Sequence, residues 1–336
     1  MHLTYAKNLT IVLDKETIYN EIIVKNARCI MDVQIKEMMR PASSGHEDIF
    51  SKIWFGNEKR AIIQISHGMS EHVERYDDFA KFLATNGFVV CMNEHAGHGS
   101  HAKTLGYFAD TDGIKHVLSD MKSLQDVLTK GYSDLPVFLL GHSMGSFLAR
   151  KYITQYGDEL AGCILSGTSG PNSAVGVAKI IASIQKTVKG PKSEGHLLTS
   201  MAFGSYLKRI ESPVNKDAWI SSVDEICKEY NADPYCGFKF TAGGFYDLFS
   251  LIDDISKKDW ATKVPTNLPV YLFAGEEDPV GTYGKGVLLI CNRLKEAGLK
   301  DVSIKLYPGG RHEMLNEINR QDVYKDTLDW LNNHIT

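Results

Sequence analysis

The chain has 336 residues, of which 43% are hydrophobic and 23% charged, and its formal net charge is −4. This balance supplies a buried core and excludes wholesale disorder. It leaves no strongly basic surface for a phosphate backbone, which disfavours nucleic acid as a partner.

Cysteine usage and the N-terminal region bear on the compartment. The six cysteines are scattered without a Cys-x-x-Cys pair, which favours free thiols in a reducing cytosol over a disulfide framework. The chain shows no basic segment followed by a long apolar one, and no apolar run reaches the ~20 residues that span a bilayer. We therefore expect a cytoplasmic protein without a transmembrane segment. Peripheral contact with a membrane and the oligomeric state are left open.

The chain order of apolar runs predicts the fold class. Residues 1–40 contain only two short strand-like pieces, 10–13 and 22–24, and are expected to form an extension outside the main fold. Further along, strands are predicted over 49–55, 61–65, 88–92, 135–140, 162–165, 270–274 and 302–307. Amphipathic helices are predicted over 75–86, 113–128, 144–156, 245–255, 284–297 and 323–333. Such alternation is typical of an α/β fold, with a mostly parallel sheet covered by helices on both faces.

The alternation stops between residues 171 and 244. Apolar spacing there predicts one helix over 175–184 and another over 218–230, and no strand pattern is evident. We expect a mostly helical cap over 171–244, inserted into a core formed by residues 41–170 and 245–336.

Residues 141–145 read Gly-His-Ser-Met-Gly, which fits the Gly-x-Ser-x-Gly pattern of a nucleophile elbow. In such an elbow, a sharp turn between a strand and a helix exposes a serine hydroxyl. The pattern alone is common, but here a predicted strand precedes it and a predicted helix follows it. Ser143 is therefore a candidate nucleophile.

A nucleophilic serine needs a base to take its proton and an acid to orient the base. In folds with this elbow, both follow the serine in chain order, each on a loop after a strand. His312 follows the strand predicted over 302–307, and Asp278 follows the strand predicted over 270–274. We predict His312 as the general base and Asp278 as the orienting carboxylate, with Glu276 or Glu277 as the competing acids.

Acyl transfer also needs hydrogen-bond donors for the oxyanion. One is expected to be the backbone N–H that follows the nucleophile, from Met144. The other is expected from the loop after the strand over 61–65, where the backbone N–H of Met69 is the candidate.

Several motifs together resemble one family. Residues 67–76 read His-Gly-Met-Ser-Glu-His-Val-Glu-Arg-Tyr. With the elbow and the loops at Asp278 and His312, this segment resembles the monoglyceride lipase and lysophospholipase branch of the α/β-hydrolase superfamily, from about residue 45 to the C-terminus. The resemblance implies an α/β-hydrolase fold, a helical cap over the active site and fatty-acid esters as substrates. In residues 94–100, Glu94 and Ala96 replace the family's usual Asp and Arg, which puts the charged contacts of that loop in doubt.

Two clusters have alternative interpretations. Glu71, His72 and Arg75 open a helix, where they either cap it and pair at the surface or form a substrate-binding wall that orients the alcohol head group. A series of three histidines, His95, His98 and His101, has the spacing of metal ligands, but it lies on an irregular loop without a supporting carboxylate or cysteine set. We expect neither a metal nor a cofactor.

Three functions compete. The first is a serine carboxylester hydrolase for monoacylglycerols, lysophospholipids or similar small-molecule acyl esters, acting through an acyl-enzyme. The second is a serine aminopeptidase of the same fold, in which a cap carboxylate such as Asp233 or Glu225 would bind the substrate's α-amine. The third is a non-catalytic binding module, which a complete triad disfavours.

Overall fold

The computed structural model describes residues 33–335, which build an eight-stranded sheet with the order β1-β2-β4-β3-β5-β6-β7-β8. The strands are β1 (Gln34–Pro41), β2 (Asp48–Phe55), β3 (Ala61–Ser66), β4 (Phe88–Asn93), β5 (Val137–His142), β6 (Gly162–Ser166), β7 (Val270–Gly275) and β8 (Val302–Tyr307). Strand β2 pairs antiparallel with β1 and β4, and every other pairing is parallel. The expected α/β-hydrolase fold is confirmed.

The N-terminal boundary expected at residue 40 lies inside a strand. Strand β1 pairs with β2 along its whole length, from Gln34 opposite Phe55 to Pro41 opposite Asp48. Sequence patterns missed β1 because it is an edge strand with mostly exposed side chains, and it therefore lacks a buried apolar face. The strand-like pieces predicted at 10–13 and 22–24 lie outside the described residues.

Helices cover both faces of the sheet. The core helices are α1 (Asp77–Thr85), α2 (Gly113–Gly131), α3 (Met144–Tyr156), α7 (Ala242–Ser256), α8 (Lys285–Glu296) and α9 (Arg320–Asn332). Alternate residues of β5 enter different hydrophobic clusters. Leu139 packs with residues of α2, α3, α7 and α8, whereas Phe138 and Leu140 pack with residues of α1 and α9. Both faces of β5 are thus buried, as expected for a central parallel strand.

Three helices lie between β6 and α7: α4 (Val175–Lys189), α5 (His196–Phe203) and α6 (Asp224–Ala232). We call residues 171–241 the cap segment. The helix predicted over 218–230 begins only at Asp224, because turns occupy the residues before it. Helix α5 was not predicted, and Leu198 is its only fully buried residue, so it shows no clear apolar stripe.

Two further expectations concern the described residues. None of their helices combines the length and apolarity needed to cross a bilayer. Their five cysteines are free and buried, as expected for thiols outside a disulfide framework. Cys29 lies outside the described range.

Candidate active site

Ser143 occupies a strained turn between β5 and α3. Its φ of 53° and ψ of −120° are uncommon for a residue with a side chain. The neighbouring glycines allow this turn. A Cβ on Gly145 would lie 1.9 Å from the carbonyl oxygen of Ser66, and one on Gly141 would lie 2.3 Å from that of Gly145. The Gly-x-Ser-x-Gly pattern is therefore a steric requirement of this elbow.

Asp278 and His312 form a buried pair at the ends of β7 and β8. Nδ1 of His312 lies 3.0 Å from both carboxylate oxygens of Asp278. A carboxylate only accepts, so the imidazole donates from Nδ1 and leaves Nε2 as the basic nitrogen. Burial alone lowers the pKa of His312, but the Asp278 carboxylate outweighs it and the net pKa shift is upward. Among the described residues, Nε2 has no hydrogen-bond partner.

The competing acids take other positions. Glu276 and Glu277 have exposed side chains, whereas Asp278 is fully buried against His312. Asp278 also accepts a hydrogen bond from the backbone N–H of Val280 at 2.8 Å, which fixes the carboxylate in its loop. Of the three acidic residues after β7, the structure brings only Asp278 to the imidazole.

The loop after β3 approaches the elbow. A Cβ on Gly68 would lie 3.2 Å from the Cβ of Ser143, so the loop backbone runs directly beside the serine. Within the described residues, neither the Met69 N–H nor the Met144 N–H has an acceptor. Met69, Met144 and Ser143 all line one cavity, so the two unpaired amides belong to residues of the cavity wall.

Ser70 joins this loop to the cap segment. Its carbonyl oxygen accepts hydrogen bonds from the Gly237 N–H and the Tyr230 hydroxyl, each at 2.9 Å. Its own hydroxyl donates to the carbonyl of Phe238 at 2.7 Å. On the other side, its backbone N–H donates to Nε2 of His98 at 3.3 Å. The residue after Met69 is thus bound to both the cap segment and the core.

The three residues of the predicted substrate-binding wall, Glu71, His72 and Arg75, lie in different environments. Glu71 lines the cavity, but its Oε1 already accepts hydrogen bonds from the Gly68 N–H and from the Tyr76 hydroxyl, the latter at 2.8 Å. Its burial raises the pKa of this carboxyl to about 7. His72 and Arg75 are absent from the cavity wall. The expected contact with substrate therefore has geometric support at Glu71 and none at His72 or Arg75.

His72 and Arg75 instead hold other parts of the fold together. His72 donates from Nε2 to the carboxylate of Asp233 at 2.8 Å. Arg75 pairs with Glu313, the residue after His312, and its guanidinium lies 4.8 Å from the ring centre of Tyr230. Both residues link the helix entry after β3 to the cap segment. Arg75 also lies 3.5 Å from Glu71 Oε2, the local pairing considered from sequence, but the partners Asp233 and Glu313 lie far away in sequence and could not be predicted from local spacing.

The carboxylates expected for an α-amine site have other partners too. Asp233 accepts from His72, and exposed Glu225 pairs with Lys228 at 3.0 Å. Neither lines the cavity. A different cap carboxylate, Asp217, does line it, and sequence reasoning missed it because its segment shows no periodic pattern.

Metal-ligand spacing occurs at one place within residues 33–335, where His72, Asp233 and Cys236 bring ligand atoms within 4.8 Å of one another. The hydrogen bond between His72 and Asp233 explains this proximity without an ion. In the predicted histidine series, burial lowers the pKa of His95 to about 3 and that of His98 to about 4. His95 and His98 pack against each other's rings and that of His67, as structural histidines do.

The cavity of about 740 Å³ lies between the elbow and the cap segment. Its lining includes Ser143, His312, Met69 and Met144. The apolar wall comes from α3, α4 and α7 and comprises Phe147, Val175, Leu248, Phe249 and Ile252. Trp219 of the cap segment, also missed by sequence reasoning, lies with its ring centre 5.1 Å from that of His312. The volume is in the range of sites that bind small molecules.

Comparison with known proteins identifies the family of this chain. The family described as serine aminopeptidase, S33, matches residues 57–319. The monoacylglycerol lipase of Mycolicibacterium smegmatis is 26% identical over 296 residues, covering 88% of this chain and 96% of the relative. The monoglyceride lipase of Mus musculus is 27% identical over 327 residues, covering 92% and 94%.

A solved structure extends the likeness to three dimensions. The thermostable carboxyl esterase from Bacillus coagulans, determined in complex with glycerol, superposes with a TM-score of 0.86 at 31% identity. The match covers 90% of this chain and 99% of the esterase. The similarity therefore includes the cap segment as well as the sheet.

Proposed function

This chain belongs to the serine aminopeptidase S33 family of α/β-hydrolases, and on that premise we propose that it is a serine hydrolase of carboxylic esters. Its substrates are monoacylglycerols, lysophospholipids or similar acyl esters, and the reaction passes through an acyl-enzyme. The observation that carries the proposal is the buried Asp278–His312 pair, whose Nε2 is unpaired among the described residues, in a cavity that both His312 and Ser143 line. The lipase and esterase relatives support the ester class.

In this mechanism His312 Nε2 removes the proton of the Ser143 hydroxyl as its oxygen attacks the ester carbonyl. Asp278 keeps the imidazole in the required tautomer and stabilises the imidazolium. The Met69 and Met144 N–H groups donate to the oxyanion, and the loss of one such donor typically costs about 10²–10³ in rate. His312 then returns the proton to the leaving alcohol, and a water molecule releases the acid by the same steps in reverse.

The apolar wall of the cavity favours an acyl chain over a peptide. Its side chains on α3, α4 and α7 offer no charge or hydrogen-bonding group to a peptide backbone. Burial of each methylene of an acyl chain against such a wall contributes about 0.8 kcal/mol. Asp233 and Glu225, which an aminopeptidase reading would use, do not reach the cavity.

Hydrolysis rates across p-nitrophenyl esters, monoacylglycerols and lysophospholipids of graded chain length test the substrate class, with aminoacyl amides as the competing panel. A Ser143→Ala variant is expected to lose about 10⁶ of kcat, since triad members act as a unit. Fluorophosphonate should label the unchanged protein and fail to label this variant. Ser173→Ala, which alters an exposed serine of the same cavity, serves as the control. Ester hydrolysis that survives Ser143→Ala refutes the assignment.

A further inference from the structure

A buried carboxylate binds the loop that carries His312 to the cap segment. We call residues 308–317, between β8 and α9, the histidine loop, and residues 218–222 of the cap segment the cap arm. Glu317, the last residue of the histidine loop, is fully buried and does not line the cavity. Any effect of Glu317 on the reaction must therefore act through other residues.

Both carboxylate oxygens of Glu317 accept hydrogen bonds. Oε1 accepts from the backbone N–H groups of Arg311 and Ser222, each at 2.8 Å. Oε2 accepts from the Ser222 hydroxyl and from the Ile318 N–H, the latter at 3.2 Å. Hydrogen bonds to an ionised acceptor are stronger than those between neutral groups. One carboxylate oxygen thus joins the residue before His312 to the cap arm.

The residue after His312 is held by the cap arm as well. The Glu313 N–H donates to the Ile220 carbonyl at 2.7 Å. Nη1 of Arg311 donates to two further carbonyls of the cap arm, at 2.6 and 2.8 Å. The backbone N–H groups on both sides of His312 therefore have acceptors that belong either to the cap arm or to the carboxylate that binds it.

These contacts constrain a part of His312 that Asp278 does not. The two hydrogen-bond distances between Asp278 and Nδ1 set the tautomer and the direction of the ring, whereas the position of the backbone depends on the neighbouring residues. Proton transfer from Ser143 requires Nε2 to lie within hydrogen-bond reach of the hydroxyl. A displacement of about 1 Å in such a geometry can lower a rate by about 100-fold.

We propose that Glu317 is a positioning residue for His312. By binding the cap arm to the histidine loop, it holds Nε2 where it can take the proton of Ser143. The inference rests on the proposed ester hydrolysis and adds a residue outside the cavity to it. The cap segment then takes part in catalysis through the backbone of the histidine loop, in addition to lining the cavity.

The test separates the rate of reaction at Ser143 from the amount of folded protein. Glu317→Ala removes all four hydrogen bonds and should slow the labelling of Ser143 by fluorophosphonate by up to about 100-fold. Labelling should nevertheless reach one probe per chain at long times. For a p-nitrophenyl ester, kcat should fall with the labelling rate while KM stays near that of the unchanged protein, because Glu317 does not line the cavity.

Glu317→Gln is the conservative variant. Its amide oxygen can still accept from the Arg311 and Ser222 N–H groups, so it should slow labelling by less than about tenfold. Should Glu317→Ala fail to fold, this smaller slowing is the result to be measured. Asp120→Asn is the matched control, because Asp120 is also buried and accepts the backbone N–H of a distant residue, Ser43, at 2.6 Å. It belongs to α2, and its labelling rate should stay unchanged.

A purely structural role for Glu317 predicts a different result. Fewer chains would be labelled and the unfolding temperature would fall, but the chains that react would do so at the unchanged rate. That result would overturn the proposal, and so would a loss confined to KM or an unchanged labelling rate in both Glu317 variants.

The pH dependence gives a further readout. The carboxylates that raise the pKa of His312 are those of Asp278, Glu313 and Glu71. Activity of Glu317→Ala should therefore decline at the same pH on the acid side as that of the unchanged protein. A shift of this decline would show that Glu317 acts on the charge of the imidazole, which contradicts a role in positioning. Failure of the unchanged protein to react with fluorophosphonate would instead refute the proposed function.

Discussion

Asp278→Asn tests most directly whether the Asp278 carboxylate controls the tautomer and the pKa of His312. Asp278 is fully buried, and both its oxygens lie 3.0 Å from His312 Nδ1. An asparagine can turn its amide nitrogen toward Nδ1 and donate there, which moves the imidazole proton to Nε2. That tautomer has no basic nitrogen for Ser143. We expect kcat to fall about 10⁴-fold, or about 5 kcal/mol of transition-state stabilisation.

The pH profile gives a second, independent readout. The base must be neutral to act, so activity falls as the pH drops below the pKa of His312. In the unchanged protein the Asp278 carboxylate holds that pKa above its ordinary value of 6.5. Without it, the largest contribution that opposes burial is lost and only the smaller ones of Glu313 and Glu71 remain, so the pKa of His312 should fall and the decline of activity on the acid side should move to lower pH.

The assay is kcat/KM for a p-nitrophenyl ester between about pH 5 and pH 9, the range in which histidine titrates. Glu277→Gln, which alters the exposed neighbouring carboxylate, is the control and should change neither rate nor profile. The reasoning is refuted if Asp278→Asn keeps kcat/KM within about tenfold of the unchanged protein and if its activity declines at the same pH on the acid side. Loss of the Asp278 carboxylate should lower the rate much more than about tenfold.

Two further changes address the loop beside the elbow. The pKa of Glu71 is about 7 in the folded chain against 4.5 without burial, so the folded state binds more protons between these values and its stability falls as pH rises through them. Glu71→Gln should abolish this fall in the free energy of unfolding, which is at most about 3 kcal/mol. The measurement is urea unfolding at about pH 5 and about pH 8. Tyr230→Phe removes the hydroxyl that donates to the Ser70 carbonyl and should lower kcat by about fivefold, the cost of about 1 kcal/mol, with KM little changed.

Each of these has a matched control. Glu225→Gln removes an exposed carboxylate and should leave the pH dependence of unfolding as it is. Tyr235→Phe removes a hydroxyl from an exposed cap tyrosine and should leave kcat unchanged. Unfolding curves for Glu71→Gln that stay parallel to those of the unchanged protein would contradict the burial argument. A fall in kcat that is equal for both tyrosine variants would contradict the role of the Ser70 contact.

The regular core was open to prediction from sequence, because its residues obey simple periods. Helix α3 and strand β8 begin and end at the predicted residues, since each is bounded by a turn and carries a clear apolar pattern. Chain order alone also brought Ser143, Asp278 and His312 to the same edge of the sheet, where the carboxyl ends of parallel strands meet.

What sequence could not supply are long-range contacts and irregular segments. Besides its local pairing with Glu71, Arg75 pairs with Glu313, which lies 238 residues away, and no local spacing predicts such a long-range pair. Asp217 and Trp219 sit in turns between α5 and α6, where neither the strand nor the helix period applies. Strand β1 was not predicted for the opposite reason. Its structure is regular, but its mostly exposed side chains show no alternation of apolar and polar residues.

The hydrogen bonds of Ser70 limit how the cap segment can be exchanged. Ser70 forms hydrogen bonds with Tyr230, Gly237 and Phe238, so this single residue connects the cap segment to the loop that contains Met69. A chimera that takes its cap from a relative must therefore present two donors and one acceptor to residue 70. A cap that is chosen only because its backbone superposes well would preserve the outline of the cavity. It would, however, leave the loop with the Met69 N–H without the hydrogen bonds that Ser70 makes to the cap segment.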